Sequence, residues 1–209
     1  MPTHTLIAGH GRFKEHFSKN RDFFLALAQK GQSPKVLWVG CSDSRVVPEQ
    51  IMGADPGELF IIRNIANIVP PVGKGADSVG AAIEYAVLHL QVPHIVICGH
   101  TECGGIKALG EALDMEHEPH ITRWLENARP ARERVEASAG SEIDPYLETI
   151  KANVLLQMEH LMTYPCVREA VEAGRLTIHG WLYDLHNGDL FSYNDSEKGW
   201  TPLSLPGQE

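Results

Sequence analysis

Apolar residues recur along this chain in two alternating patterns. Uninterrupted apolar runs at 35–40, 58–63 and 94–98 are bounded by glycine, proline or charged residues, as buried strands are. Residues 9–31 and 78–90 instead place apolar side chains at helical intervals. Strands that alternate with helices pair in parallel through right-handed crossovers, so we expect an α/β fold with a mainly parallel central sheet flanked by helices.

The second half of the chain is predicted to be mainly helical before it returns to strands. Residues 119–172 have helical periodicity, interrupted at two prolines and near 140–145. Two strands are then expected at 176–184 and 189–193, on either side of the Asn187-Gly188 turn. The predicted architecture therefore has an N-terminal helical arm and helices toward the C terminus.

Length and composition favour one folded domain. The 209 residues are 43% hydrophobic and 22% charged, close to the usual values for folded globular proteins, and the chain has no low-complexity run. We expect residues 1–209 to form a single domain, in which residues 1–31 make the helical arm.

The charge balance argues against nucleic acid and membrane partners. A formal charge of −9 repels phosphate backbones and anionic lipid surfaces. Apolar runs stay far below the roughly 20 residues that cross a bilayer, and the N-terminal segment soon reaches Arg12 and Lys14, unlike a signal peptide. We expect a cytoplasmic protein.

Four cysteines in a cytoplasmic chain are better interpreted as metal ligands, nucleophiles or core residues than as disulfides. Cys98 lies inside a predicted strand and Cys166 lies at a helix break, so both are expected in the core. His117 and His120 occupy an acidic loop and are expected on a solvated surface.

Cys41, His100 and Cys103 follow two predicted strands. Ligands of open parallel sheets bind at the carboxyl ends of strands, so these side chains can converge. Two thiolates and an imidazole suit zinc and leave one tetrahedral position open. Water bound there loses a proton near neutral pH and becomes a hydroxide nucleophile.

Asp43 and Arg45 lie just after Cys41. A guanidinium beside a carboxylate holds it ionised and oriented. Asp43 then either accepts a hydrogen bond from the zinc-bound hydroxide or becomes the fourth zinc ligand, and the sequence leaves both readings open.

Five segments resemble the β-class carbonic anhydrases of bacteria and plants, and the resemblance runs in order over about residues 30–193. They are CSDSR at 41–45, RNIAN at 63–67, EYAVLH at 84–89, GHTECGG at 99–105 and HGWLYD at 179–184. The resemblance implies one Zn²⁺ per chain on Cys41, His100 and Cys103 and a catalytic dyad of Asp43 and Arg45. It also implies reversible hydration of carbon dioxide to bicarbonate and a proton.

The resemblance also implies a substrate pocket and a second binding site. The pocket positions of the plant-like branch fall on Gln32, Phe60, Ile65, Tyr85 and Gly104. A regulated branch binds bicarbonate through a tryptophan, an arginine and a tyrosine. The matching residues here are Trp38, Arg63 and Tyr183. Regulation by pH or bicarbonate is thus a hypothesis for this chain.

Members of this family are dimers or assemblies of dimers, so we expect a homodimer or homotetramer in which the N-terminal arm embraces the neighbouring subunit. Three alternatives to carbon dioxide hydration remain. A carbon disulfide or carbonyl sulfide hydrolase would use the same scaffold. A non-catalytic zinc-binding regulator is disfavoured by the intact Asp43 and Arg45 pair, and a redox protein ranks last because no Cys-x-x-Cys is present.

Overall fold

The structure is a computed structural model that describes residues 3–75, 77–138 and 144–203. It divides into two compact units, Met1–Ser33 and Pro34–Glu209. The first unit holds helices α1 (Thr3–Lys19) and α2 (Arg21–Lys30). Phe17 and Phe24 stack between them with ring centroids 4.7 Å apart, and α2 ends at Gly31, whose φ of 75° suits glycine. The predicted helical arm is confirmed as two helices.

The second unit is built on a six-stranded sheet with the order β2-β1-β3-β4-β5-β6. The first four strands in that order are parallel, and β5 and β6 add an antiparallel edge. The strands are β1 (Val36–Cys41), β2 (Leu59–Asn64), β3 (His94–His100), β4 (Thr177–Tyr183), β5 (Leu190–Asn194) and β6 (Gly199–Pro202). The mainly parallel α/β fold is confirmed.

Helices connect and cover these strands. They are α3 (Pro48–Met52), α4 (Asp77–Glu84), α5 (Gly104–Ala108), α6 (Pro119–Leu125), α7 (Arg129–Ser138), α8 (Pro145–Leu161) and α9 (Pro165–Glu172). A wider helical turn, Tyr85–His89, continues α4. Four of the described helices begin at a proline, because proline lacks the N–H that a first helical residue would leave unpaired.

The two faces of the sheet bury different residues, because side chains alternate along a strand. Leu37, Val39, Ile95 and Ile97 lie in the main core, against which α8 packs. The opposite face holds a smaller cluster around Trp38, Val96 and Cys98. The central strands are thus buried on both faces, as the continuous apolar runs predicted.

Element boundaries differ from the predictions where strands run into the site. Strand β1 includes Cys41 and β3 continues through Gly99 to His100, although both metal-ligand candidates were expected in loops. The break predicted near 140–145 lies partly outside the described residues, and α8 begins at Pro145. Among the described residues, none of the helices is both long and apolar enough to cross a membrane.

Candidate metal centre

Strand topology brings the predicted ligands to one edge of the sheet. Strand β1 lies between β2 and β3 in the sheet. After β1 the chain forms β2 on one side of it and then crosses to form β3 on the other side. Cys41 ends β1 and His100 ends β3. This is the topological switch point at which open α/β sheets bind their ligands.

The three candidate ligands converge there. The Sγ atoms of Cys41 and Cys103 and a ring nitrogen of His100 all lie within 4.8 Å of one another, and all three residues are buried. His100 Nδ1 lies 2.7 Å from the Thr101 carbonyl oxygen. A carbonyl only accepts, so Nδ1 carries the proton and Nε2 presents a lone pair.

The surroundings of His100 Nε2 show whether the site fits a zinc ion. Among the described residues, His100 Nε2 is buried and has no hydrogen-bond partner, whereas buried polar atoms in native proteins are nearly always satisfied. Two soft sulfurs and an unpartnered imidazole nitrogen form a donor set that suits zinc. The residues present therefore fit the ion that the sequence predicts.

The two thiols also differ in their protonation. A hydrogen bond from Cys103 and contact with His100 lower the pKa of Cys41, while the same bond and burial raise the pKa of Cys103. The backbone N–H groups of Asp43 and Ala66 also act to lower the pKa of Cys41, and those of Gly105 and Ile106 act in the same direction on Cys103. Even before metal binding, the pocket stabilises negative charge on the Cys41 sulfur.

Asp43 and Arg45 form a bidentate ion pair at the edge of this centre. Arg45 Nε and a terminal nitrogen donate to the two carboxylate oxygens at 2.9 and 2.7 Å, and the Arg45 backbone N–H adds a bond of 3.0 Å. These bonds hold the pKa of Asp43 well below its usual range. Oδ2 of Asp43 lies 3.9 Å from His100 Nε2, so the carboxylate faces the donor atoms.

Several supporting residues were not predicted. The hydroxyl of Tyr146 in α8 donates a hydrogen bond to the Cys103 carbonyl at 2.9 Å. Burial raises the pKa of this hydroxyl to about 12. Thr101 donates to Asp184 at 3.0 Å, which fixes the backbone beside His100. Glu102 has a φ of 58° and its carbonyl accepts from Arg45 at 3.0 Å. The sequence carries no signal for the Tyr146 contact, because its partner lies 43 residues away.

The predicted pocket residues are only partly brought together. Ile65 lies against Gly105, where a Cβ would approach its Cγ2 to 2.7 Å, and Gly104 begins α5 directly after Cys103. Phe60 and Tyr85 form a separate pair with ring centroids 5.9 Å apart. Gln32 is exposed and belongs to the N-terminal unit.

Trp38, Arg63 and Tyr183 share the sheet face opposite the main core. The Trp38 side chain is 1% exposed, and its Nε1 is a buried donor without a partner. The indole lies over Gly40, where a Cβ would come within 2.6 Å of Nε1, and Arg63 neighbours Gly40 in the sheet. Arg63 donates to the Cys41 and Asp43 carbonyls at 3.0 and 2.6 Å, so this face is linked to the metal centre.

The remaining cysteines and histidines stay away from the centre. Cys98 is buried on the Trp38 face and Cys166 packs against the main core, as predicted. Burial raises the pKa of both thiols. His117 and His120 are both exposed, as predicted; His117 pairs with Asp114 at 2.7 Å, and His120 lies on α6.

Fold and site together define a class of protein. A buried cluster of two cysteines and one histidine lies at the switch point of a parallel sheet, in the part of the chain that the structure describes. Such centres are typical of catalytic zinc enzymes.

Comparison with known proteins identifies the family. The family described as carbonic anhydrase matches residues 36–190. A carbonic anhydrase of Synechococcus elongatus is 39% identical over 98% of this chain and 78% of its own length, and carbonic anhydrase 1 of Escherichia coli O157:H7 is 40% identical over 95% and 91%. The solved structure of the β-carbonic anhydrase CcaA superimposes with a TM-score of 0.89 at 34% identity, covering 98% of this chain and 93% of that one.

The chain belongs to the β class of the carbonic anhydrase family. It is a zinc enzyme that reversibly hydrates carbon dioxide to bicarbonate and a proton.

Proposed function

We propose that Cys41, His100 and Cys103 hold the catalytic zinc, with one ion per chain. The observation that carries this assignment is the buried, unpartnered Nε2 of His100 beside two thiols. Zinc in such a centre supplies a Lewis acid that makes water nucleophilic near neutral pH. The four backbone N–H groups that act on the pKa of these sulfurs stabilise the thiolate charge that the ion requires.

Asp43 and Arg45 orient the water that attacks carbon dioxide. Ionised Asp43 only accepts hydrogen bonds, so it aligns the O–H of that water and leaves an oxygen lone pair directed at the substrate. Arg45 binds both carboxylate oxygens and thereby keeps Asp43 ionised and fixed. This pairing also keeps Asp43 beside the donor atoms without occupying the fourth position.

The substrate side of the centre is formed by Ile65 and Gly104. An apolar side chain and a glycine suit an uncharged linear substrate that needs no hydrogen bond. Resemblance to the family assigns Phe60 and Tyr85 to substrate binding as well, and assigns to the Gln32 amide a hydrogen bond to a bicarbonate oxygen. These three assignments rest on the family resemblance alone.

Stopped-flow hydration of carbon dioxide, measured together with bound zinc, tests the assignment. Cys103→Ala should lose both zinc and hydration. Cys98→Ala is the matched control, since Cys98 is equally buried but lies in the opposite cluster, and it should retain both. Normal zinc content and hydration in Cys103→Ala would refute the assignment.

A second proposal concerns bicarbonate as a regulator. Trp38, Arg63 and Tyr183 form a site for this anion beside the metal centre. The unpartnered Nε1 of Trp38 supports it, because a buried donor requires an acceptor. An anion that draws Arg63 away from the Cys41 and Asp43 carbonyls would disturb the segment that carries the zinc ligand.

Inhibition of hydration by added bicarbonate tests this regulatory site. Trp38→Phe removes the N–H and keeps an aromatic ring, and it should weaken the inhibition. Trp181→Phe is the control, because Trp181 packs edge-on against Trp38 with centroids 5.7 Å apart. Equal inhibition of both variants and the wild type would exclude the site.

Assembly and location are also proposals. A homodimer or homotetramer in which residues 1–31 embrace a neighbouring subunit is supported by the exposed apolar side chains of α1 and α2, among them Ile7 and Phe13. Solved relatives from Sordaria macrospora, 32% identical with a TM-score of 0.80 over 97% of this chain, are described as tetrameric.

The four free cysteines support a reducing, cytoplasmic location. Sedimentation of the full chain and of a variant lacking residues 1–31 tests the arm, and cell fractionation tests the location.

A further inference from the structure

Helix α8 carries a polar stripe on its buried side. Asn153, Gln157 and His160 follow one another at helical spacing, and the first two are 1% and 0% exposed. Polar residues at such positions are costly unless their hydrogen bonds are satisfied. Their partners therefore show what the stripe supports.

The partners lie on the segment that follows β2. Asn153 Nδ2 donates to the Ala66 carbonyl at 3.0 Å. Gln157 Oε1 accepts from the Val69 N–H at 2.8 Å, and His160 Nδ1 donates to the Val69 carbonyl at 2.8 Å. Gln157 Nε2 also donates to Asn153 Oδ1 at 2.8 Å, which fixes the orientation of the Asn153 amide. The stripe thus clamps residues 66–69.

The clamped segment contains two residues in a conformation that they would not adopt without support. Ala66 and Asn67 have φ values of 60° and 48°, in the left-handed region that L-residues with side chains rarely occupy. Such residues persist only where their surroundings hold them. Asn153 is the side chain that bonds the carbonyl of Ala66.

The turn formed by Ala66 and Asn67 lies between the two cysteine ligands, Cys41 and Cys103. Ala66, Cys41 and Cys103 pack in one buried cluster, and the Ala66 N–H helps to lower the pKa of Cys41. On its other side, a Cβ on Gly105 would come within 3.0 Å of the Ala66 Cβ and 3.4 Å of its nitrogen. A displacement of Ala66 would therefore change the environment of Cys41 and of the loop that carries Cys103.

We propose that Asn153 is a positioning residue of the metal centre, which holds the left-handed Ala66 so that its N–H remains on the Cys41 sulfur. Asn153 contacts the ligand only through this turn. The inference rests on the metal centre proposed above. It extends the zinc site to a helix that bears none of the ligands.

Two variants of α8 separate this role from a general loss of stability. Asn153→Thr removes the donor to Ala66, while the new hydroxyl can bond the carbonyl one turn back in the helix. Thr149→Val is the matched control, because the buried Thr149 hydroxyl bonds only within α8, to Pro145 at 2.7 Å. Asn153→Thr should weaken zinc binding about 10- to 100-fold in competition with a chelator. It should also speed hydrogen exchange of the Ala66 amide relative to Thr149→Val. Equal zinc affinity and equal Ala66 exchange in the two variants would overturn the proposal.

A measurement on the unmodified protein remains decisive if Asn153→Thr fails to fold. In protein loaded with NMR-active cadmium, the Ala66 amide proton should show scalar coupling to the metal through the Cys41 sulfur. If cadmium couples to the Cys41 side chain and the Ala66 coupling is missing, the positioning role is wrong and the metal centre stands. If cadmium does not couple to Cys41 at all, the metal centre itself is wrong.

Discussion

At the scale of single residues, the geometry of the metal centre depends on which side-chain atoms already form hydrogen bonds within the protein. His100 uses Nδ1 on the Thr101 carbonyl and keeps Nε2 free, so its tautomer is fixed before a metal binds. Asp43 uses both carboxylate oxygens on Arg45. The spacing of Asp43 and Arg45 in the sequence predicted their pairing, whereas the tautomer of His100 cannot be seen in the sequence.

Arg45→Lys tests the Asp43 pairing. Lysine keeps the positive charge but cannot bind both carboxylate oxygens at once, so Asp43 should lose its fixed orientation. We expect the hydration rate to fall about 10- to 100-fold, the loss that corresponds to one charge-assisted hydrogen bond. Stopped-flow kinetics measure this, with zinc content as the control. An unchanged rate at unchanged zinc content would contradict the role of the pair.

At the scale of elements, the close approach of the Ile65–Asn67 turn to α5 explains one glycine of the GHTECGG segment. A Cβ at Gly105 would meet Ile65 Cγ2 at 2.7 Å, whereas one at Gly104 would meet nothing within 4 Å. Gly105 is therefore required for packing against this turn.

Gly105→Ala should therefore destabilise the protein and displace the turn. We expect the free energy of unfolding to fall by about 1–3 kcal/mol, the usual cost of overpacking, with weaker zinc binding. Urea denaturation measures the first effect. In the matched variant Gly104→Ala the free energy of unfolding should fall by less, and equal losses in the two variants would show that packing against Ile65 is not the cause.

Helix α8 gives a pH-dependent contribution to stability through His160. Burial lowers the pKa of His160. The hydrogen bond to the Val69 carbonyl and the charge of Glu159 act in the opposite direction, and Arg134, which binds Glu159 at 2.7 Å, adds to the lowering. The unfolded chain therefore binds more protons as pH falls below the ordinary histidine value of about 6.5. The stability that His160 contributes is complete above that pH and is lost progressively down to the folded pKa.

Comparison of urea denaturation at pH values above and below about 6.5 tests this sign. The wild type should lose more stability on acidification than His160→Asn, whose amide keeps a donor near the Val69 carbonyl but does not titrate. A variant that loses as much stability as the wild type would show that other groups cause the acid sensitivity.

The sequence predicted elements well where one local pattern determines them. Strands β1, β2 and β3 were found because buried parallel strands are continuous apolar runs. Strand β6 was missed, since four residues that include Pro202 form too short a pattern. The Asn153 stripe was also missed, because its partners lie 87 and more residues away and no local pattern reports such contacts.

At the scale of the whole molecule, folding and metal binding are coupled. Two buried thiols and a buried imidazole must be brought together, and an ion that binds only the folded state stabilises it. Removal of zinc by a chelator should lower the melting temperature, and added zinc should restore it. Cys98→Ala should show the same zinc-dependent shift, whereas Cys103→Ala should show none. A melting temperature that is independent of zinc in the wild type would contradict this coupling.

The most direct test of the account is X-ray absorption at the zinc edge of the purified protein. We predict two sulfur ligands at about 2.3 Å and at least one nitrogen at about 2.0–2.1 Å in the wild type and in Cys98→Ala, and no zinc bound by this pair of sulfurs in Cys103→Ala. A zinc ion with no sulfur ligands, or with the same two sulfurs in Cys103→Ala, would contradict a centre formed by Cys41, His100 and Cys103.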